Sequence, residues 1–251
     1  MKLSNADNIY LNNDSVNTIY LNNNQIYPKS ITDGLILHLD AGNSLSYGGS
    51  GTTWSDLSSN GYSGTLTNGP TYNSSDGGSI VTDGVNDFVI IGPVANTGIS
   101  TQSVTFEVWV NPSDNDGNIF SMSQSNPQND WNMPPIAAES GRFKGKIWQN
   151  TLLSATSDYV QGNWYQVVIL WDYSASTQRL YVNGNLEDSE SSATYLSSGV
   201  SNYLYLGQEN PGADNQGMFG GKYSMFRVYS RALSSSEVLS NYNNNKDRFG
   251  L

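Results

Sequence analysis

The chain has 251 residues, only 13% of them charged, a net charge of −11 and no cysteine. Its 11 Lys and Arg are scattered, so a nucleic-acid backbone finds no clustered cations, and disulfides and thiolate metal sites are excluded. No stretch approaches the roughly 20 apolar residues of a membrane span, and the opening MKLSNADNIY lacks the apolar run of a secretory signal. This length suits one all-β sandwich with a small appendage. The 16 Tyr and 6 Trp, among abundant Ser, Asn and Gly, favour sheets with many turns over helical bundles.

Residues 9–13 read IYLNN and residues 19–23 read it again, with Val16 and Ile26 also ten apart. A ten-residue period broken by Asn-rich turns predicts a small β-meander with strands near 9–11, 16–21 and 25–27. Three such short strands bury too little surface to stand alone. Residues 1–28 are therefore either an extra hairpin packed on the same domain or a docking arm that joins a larger assembly by strand addition. Pro28 to Asp33 is a joint, and residues 29–251 form the main domain.

In that domain Leu35, Leu37 and Leu39 alternate with Ile36, His38 and Asp40, the pattern of a strand with one core face. Trp54 and Leu57 are expected to pin the turn-rich stretch that follows, and GGSIVTDGVNDFVII, residues 77–91, reads as a hairpin turning at Asp83 to Asp87. Val104, Phe106, Val108 and Val110 alternate with Thr105, Glu107 and Trp109. NIFSMS and GRFKGKIWQN supply two further strands, and residues 162–184 two more, with Asn183 and Gly184 opening another. Leu204 and Leu206 alternate with Tyr203 and Tyr205. Phe219 to Tyr229 is a strand with Tyr223, Met225 and Arg227 on one face and Phe226 and Val228 in different surroundings. Ser234 and Glu237 form a capping box, Leu233 and Val238 a hydrophobic staple, and the short helix they open has Val238, Leu239 and Tyr242 as its apolar stripe. Roughly a dozen strands at regular intervals suit two sheets packed face to face.

Four stretches in this order, GLILHLDAGNS, DGVNDFV, GNWYQVVILWD with LYVNG, and FGGKYSMFRVYSRALSSSEV, resemble the concanavalin-A-like, laminin-G-like jelly-roll superfamily over about residues 34–242. The IYLNN repeats, the opening of the main domain and the ending NYNNNKDRFGL also resemble structural proteins of tailed bacteriophages. That second resemblance implies assembly in the host cytoplasm, release by lysis, and residues 1–28 as the virion-attachment end.

Some superfamily members are glucanases, which need paired carboxylates about 5–5.5 Å apart carried as E-x-D-x-E on one strand. This chain has no such run: Glu107 stands alone, and Glu187, Asp188 and Glu190 are read as loop residues. The lone His38 cannot build a multi-imidazole zinc site, and its place within a strand assigns it a structural role, hydrogen-bonded or half exposed. No catalytic residue is assigned.

Calcium accepts loop-borne carboxylates, amides and carbonyls, and pentraxin-like members clasp it after an LGQE-type strand. The resemblance implies Glu209 and Asn210 in LGQEN, Gln216 in QGMFGG and Asp130 in the QNDWN loop as ligands; Pro211 replaces a further acidic ligand, for which Asp214 is the substitute. One-ion and ion-free versions remain open, as does a plain solvated loop. Asp83, Asn86 and Asp87 are a second cation candidate, or equally a turn capped by its own side chains. A sugar needs an aromatic face beside amides and carboxylates. Trp131, among Asn129, Asp130 and Asn132, is the best platform in the sequence, whereas Trp109, Trp164 and Trp171 lie in strands.

The sequence thus predicts an all-β, two-sheet antiparallel jelly-roll sandwich of concanavalin-A-like type, with an N-terminal β-meander arm and a short C-terminal helix. The expected function is that of a non-enzymatic virion protein, a head-decoration or fibre-tip subunit whose jelly roll binds glycans or a host surface. A purely structural protein contact, a secreted or cell-surface calcium-dependent lectin and a degraded glycanase are the alternatives, and a homo-oligomer is open.

Overall fold

The computed structural model describes residues 19–21, 24–27, 31–94, 103–123, 133–147, 150–191, 202–208 and 217–251. Strands β1 (Ile19–Leu21) and β2 (Asn24–Tyr27) pair antiparallel as a two-stranded sheet of their own. The main domain continues with β3 (Leu35–Asp40), β4 (Thr53–Trp54), β5 (Gly64–Thr67), β6 (Thr71–Asn73), β7 (Ser79–Asp83), β8 (Phe88–Val94), β9 (Val104–Pro112) and β10 (Gly117–Ser123). Then come β11 (Met133–Glu139), β12 (Arg142–Gly145), β13 (Leu153–Ser154), β14 (Tyr165–Asp172), β15 (Thr177–Val182), β16 (Asn185–Ser191), β17 (Asn202–Leu206) and β18 (Gly220–Tyr229), followed by helix α1 (Ser235–Asn245).

These strands form two eight-stranded antiparallel sheets. Sheet I runs β16-β15-β14-β9-β18-β7-β6, with β3 also on β18; sheet II runs β13-β12-β11-β10-β17-β8-β5-β4. The inner faces interlock as the expected jelly-roll sandwich. Val104, Phe106, Val108 and Val110 of β9 are all buried in the shared core with Leu204, Leu206, Val89 and Ile91 of sheet II. Phe120 bridges the layers, its ring 4.8 Å from Phe106 and 4.9 Å from Phe226. Each such side chain, fully buried, contributes about 1.5–3 kcal/mol before entropic costs. Trp54 is fully buried in this core, as expected of a loop anchor. Among the described residues no helix is long and apolar enough to cross a membrane.

The capping box is present: Ser234 Oγ accepts from the Glu237 amide and Glu237 Oε2 accepts from the Ser234 amide. Leu233 and Val238 meet in one buried cluster with Tyr181 and Tyr229, the expected staple. Asn183 and Gly184, with φ of +50° and +78°, make the left-handed two-residue turn that joins β15 to β16.

Four expectations are corrected. Residues 77–91 are not a hairpin: β7 belongs to sheet I and β8 to sheet II, so the turn at Asp83 to Asp87 is an arch between layers, with Ile80 and Val89 facing across the core. Glu187, Asp188 and Glu190 lie on strand β16, not in a loop. Their carboxylates accept from the backbone amides of Thr156, Ser154 and Thr151 at 2.9–3.0 Å, tying the edge of sheet I to the β13 edge of sheet II. Tyr223 faces the inner core with Phe226 and Val228, while Met225 faces outward; a register shift between Tyr223 and Met225 breaks the strict alternation. Finally, Leu239 is 43% exposed, and the buried helix positions are Val238 and Asn241.

Candidate functional site

The two outer faces of the sandwich differ in what lies on them. Sheet I's is closed by α1 and the 3-10 turn Lys246–Phe249 behind it. Phe249 stacks on Trp109 at 4.4 Å and lies 4.7 Å from Trp164, while the Tyr242 ring lies parallel to Trp109 at 5.9 Å. Beneath the helix sits Glu107, 1% exposed. Its Oε1 accepts from Gln166 Nε2 (2.9 Å), Trp109 Nε1 (3.3 Å) and Arg227 (3.5 Å), and its Oε2 accepts from Asn241 Nδ2 (2.7 Å). This explains why a polar residue occupies the helix's buried stripe: Asn241 is a partner for a buried carboxylate. Both oxygens of Glu107 are thus satisfied, Oε1 by three strand residues and Oε2 by the helix through Asn241.

His38 lies opposite Arg227 on neighbouring β3. Burial, and then the Arg227 and Arg248 charges, hold its pKa well below the usual imidazole value, so the ring is neutral. Arg248 fastens the chain end to the same face through Asp40 at 2.8 Å and Ser224 Oγ at 2.7 Å.

Sheet II presents its outward face differently. Because Phe120, Met122, Leu204 and Leu206 point into the core, the alternate residues Ser121, Ser123, Tyr203 and Tyr205 lie on the opposite side of the sheet, where Ser121, Ser123 and Tyr205 are nonetheless buried. The register sets Ser121 beside Tyr205 and Ser123 beside Tyr203, and Tyr205 in turn beside Ile90 of β8. Burial, and then neighbouring Tyr203, push the Tyr205 phenol up to about 12. Ser121 Oγ donates to the Gln208 carbonyl at 2.6 Å. Gln208 is itself 3% exposed, and its side-chain Oε1 has no hydrogen-bond partner among the described residues.

The predicted ligand residues Asn129, Asp130, Trp131, Asn132, Glu209, Asn210, Asp214 and Gln216 lie outside the described residues. What is described is where their segments are rooted. Residues 124–132 connect β10 to β11, and residues 209–216 follow β17, so both sets belong to adjacent strands of sheet II. The Ser121–Gln208 bond joins the two roots directly: Gln208 precedes Glu209, and Ser121 lies two residues before the first segment leaves β10. The signal for this row was present in the alternation of LYLGQ, but the tie to Ser121, 87 residues away, was not.

The second cation candidate is committed elsewhere. Asp83 Oδ1 accepts from the amides of Val85 (2.8 Å), Asn86 (3.2 Å) and Asp87 (3.4 Å), which hold its pKa below the usual carboxylate range. Asp87 is shifted the opposite way, by burial and then by the Asp83 charge. A shallow cleft at the β11–β12 turn is lined by Glu139, Ser140, Arg142, Lys144 and Asp158, but its charges pair with each other, Arg142 to Asp158 at 2.7 Å and Lys144 to Glu139 at 3.9 Å.

No curated protein matches the chain in sequence. Among solved structures it is similar to the binding domain of botulinum neurotoxin serotype G, at TM-score 0.59 and 18% identity, covering 83% of this chain and 50% of that one. It is equally similar to domain 4 of an extracellular arabinanase from Geobacillus stearothermophilus, solved with arabinotriose, at TM-score 0.59 and 18% identity over 83% of this chain and 98% of that one. The ligand binding domain of neurotoxin serotype D, solved with N-acetylneuraminic acid, gives TM-score 0.59 at 14% identity, over 84% of this chain and 50% of that one. The chain therefore spans about half the length of the toxin binding domains and nearly all of the arabinanase domain. At these identities the likeness concerns the fold. A family profile, however, matches residues 83–239, more than half of the sequence. The chain belongs to the concanavalin A-like lectin/glucanases superfamily.

Proposed function

We propose that the protein is a non-enzymatic binding module that takes a glycan at the segments rooted side by side on β10 and β17 of sheet II. Trp131 is the stacking platform, Asn129 and Asn132 supply amides to sugar hydroxyls, and Asp130, Glu209, Asn210, Asp214 and Gln216 hold calcium beside it. The observation that carries this reading is the Ser121–Gln208 tie, which roots both ligand-bearing segments side by side on adjacent strands of sheet II. The arabinanase domain and the serotype D toxin domain, each solved with a saccharide, support a sugar as the ligand class.

The wider setting is a tailed-bacteriophage particle, with the chain as a head-decoration or fibre-tip subunit attached through residues 1–28. The sequence resemblance supports this, as does the separate sheet formed by β1 and β2. A glycan array with and without calcium tests the site. The expected result is calcium-dependent binding that is lost in Trp131→Ala and weakened in Asp130→Ala and Glu209→Ala; binding unchanged in all three variants overturns it. Mass spectrometry of purified particles tests the setting, and absence of the chain from them rules it out.

A further inference from the structure

The β16 edge of the sandwich and the arm differ in how they are protected. Sheet I ends in β16, whose Glu187, Asp188 and Glu190 make the edge acidic and bind the adjoining backbone. Charged edges of this kind stop further strands from adding. Among the described residues the β1–β2 hairpin has no such protection. Ile19, Tyr20, Leu21, Asn24, Gln25, Ile26 and Tyr27 include no charge and no proline, and among the described residues neither strand pairs with either large sheet. Two strands of three and four residues are at most marginally stable by themselves in water. An uncharged edge rich in β-formers and amide side chains is the composition that pairs with copies of itself.

Two features of the sequence select the occupant of that edge. Residues 9–13 repeat residues 19–23 letter for letter, so every copy of the chain carries the β1 sequence twice and is itself a source of fitting strands. Over residues 1–30, Lys2 and Lys29 balance Asp7 and Asp14, two against two, so the whole net charge of −11 resides on residues 31–251. Copies meeting through their sandwiches face mutual repulsion, whereas copies meeting through their arms do not.

We propose that the β1–β2 edge is a self-association surface, at which hairpins from two or more copies of this chain pair backbone to backbone into one shared sheet. The inference deepens the attachment role given to the arm and is independent of glycan binding.

Sedimentation equilibrium of the full chain tests it, beside the double variant Tyr20→Pro/Leu21→Lys, which removes a backbone N–H from β1 and adds a charge to it. The expected full-chain mass is at least twice the 27.3 kDa of one copy, rising with concentration. The double variant is expected to sediment as a single copy, with the thermal midpoint of the sandwich unchanged. A full chain of single-copy mass at every concentration overturns the proposal, as does a variant that keeps the parent's mass. A monomeric chain still found in purified particles overturns self-association and leaves attachment standing; an oligomer that binds no glycan supports self-association and sinks the lectin reading alone.

Discussion

On the outer face of sheet I, aromatic rings and one carboxylate are sealed under a helix; on the outer face of sheet II, serines and tyrosines alternate with core residues. Trp109 and Glu107 project from β9 by the same period-two geometry that projects Ser121 from β10 and Tyr205 from β17. What separates the faces is the partner supplied by distant sequence. Asn241, Tyr242 and Phe249 arrive from the chain end and engage the first face. The strands of the second lead along the chain into the segments that carry Trp131 and Glu209. Stability should therefore concentrate on sheet I and recognition on sheet II, and substitutions can be chosen to pull the two apart.

The largest effect is expected at Glu107. In Glu107→Ala the guanidinium of Arg227, 4% exposed, loses its carboxylate, Gln166 Nε2 loses its acceptor and Asn241 Nδ2 keeps only the Tyr229 hydroxyl. Breaking a buried pair from one side costs about 3–5 kcal/mol, measurable as a lower midpoint in urea. Phe249→Ala comes next, since it removes the ring between Trp109 and Trp164. A loss of about 3 kcal/mol is expected, accompanied by a red shift of tryptophan fluorescence as both indoles gain water. Glycan binding that fell in parallel with stability in these two variants would show that the faces are not separable.

Glu107 also shows where sequence reading succeeds and stops. Its strand was legible because Val104, Phe106, Val108 and Val110 share one face at a spacing set by local geometry. The capping box at Ser234 and Glu237 was legible for the same reason, with donor and acceptor three residues apart. The partner of Glu107 lies 134 residues away, and an Asn in a helix reads as a solvent-facing position until the carboxylate beneath it is known. Leu239 was misplaced by the same blindness. The arch at Asp83 to Asp87 has the composition of a hairpin turn, and only the sheets its two strands join distinguish the two. In the candidate site, the outward tyrosines were legible from alternation, but the Ser121–Gln208 contact that roots the ligand-bearing segments depends on strand order.

A smaller effect, dependent on pH, belongs to the start of the covering helix. Hydrogen bonds from Arg231, at 2.7 and 2.9 Å, lower the Glu237 carboxyl from 4.5 to about 2, with help from Ser234. A folded pKa below the unfolded one means that the contribution is complete above about pH 4.5 and disappears as the pH falls toward 2. Glu237→Gln is expected to cost about 1 kcal/mol at neutral pH and to flatten this part of the acid-denaturation profile. An unchanged profile would remove the ion pair from the account of how the cap is fastened.

A comparably small change in stability gives the sharpest separation of the faces, because it pairs one hydroxyl from each. Thr105 Oγ1 on sheet I donates to the Arg231 carbonyl at 2.8 Å and accepts from the Leu233 amide at 3.0 Å; Ser121 Oγ on sheet II donates to the Gln208 carbonyl at 2.6 Å. Both residues are fully buried, so Thr105→Val and Ser121→Ala should each cost about 1 kcal/mol, the worth of an ordinary intramolecular hydrogen bond. Their effects on recognition should differ. Ser121→Ala releases the root of the segment bearing Glu209 and is expected to weaken glycan binding severalfold, while Thr105→Val, on the opposite face, leaves it unchanged. Thermal melts and glycan titrations on the two variants supply both readings, and equal losses of binding would mean that sheet II holds no privileged relation to the ligand.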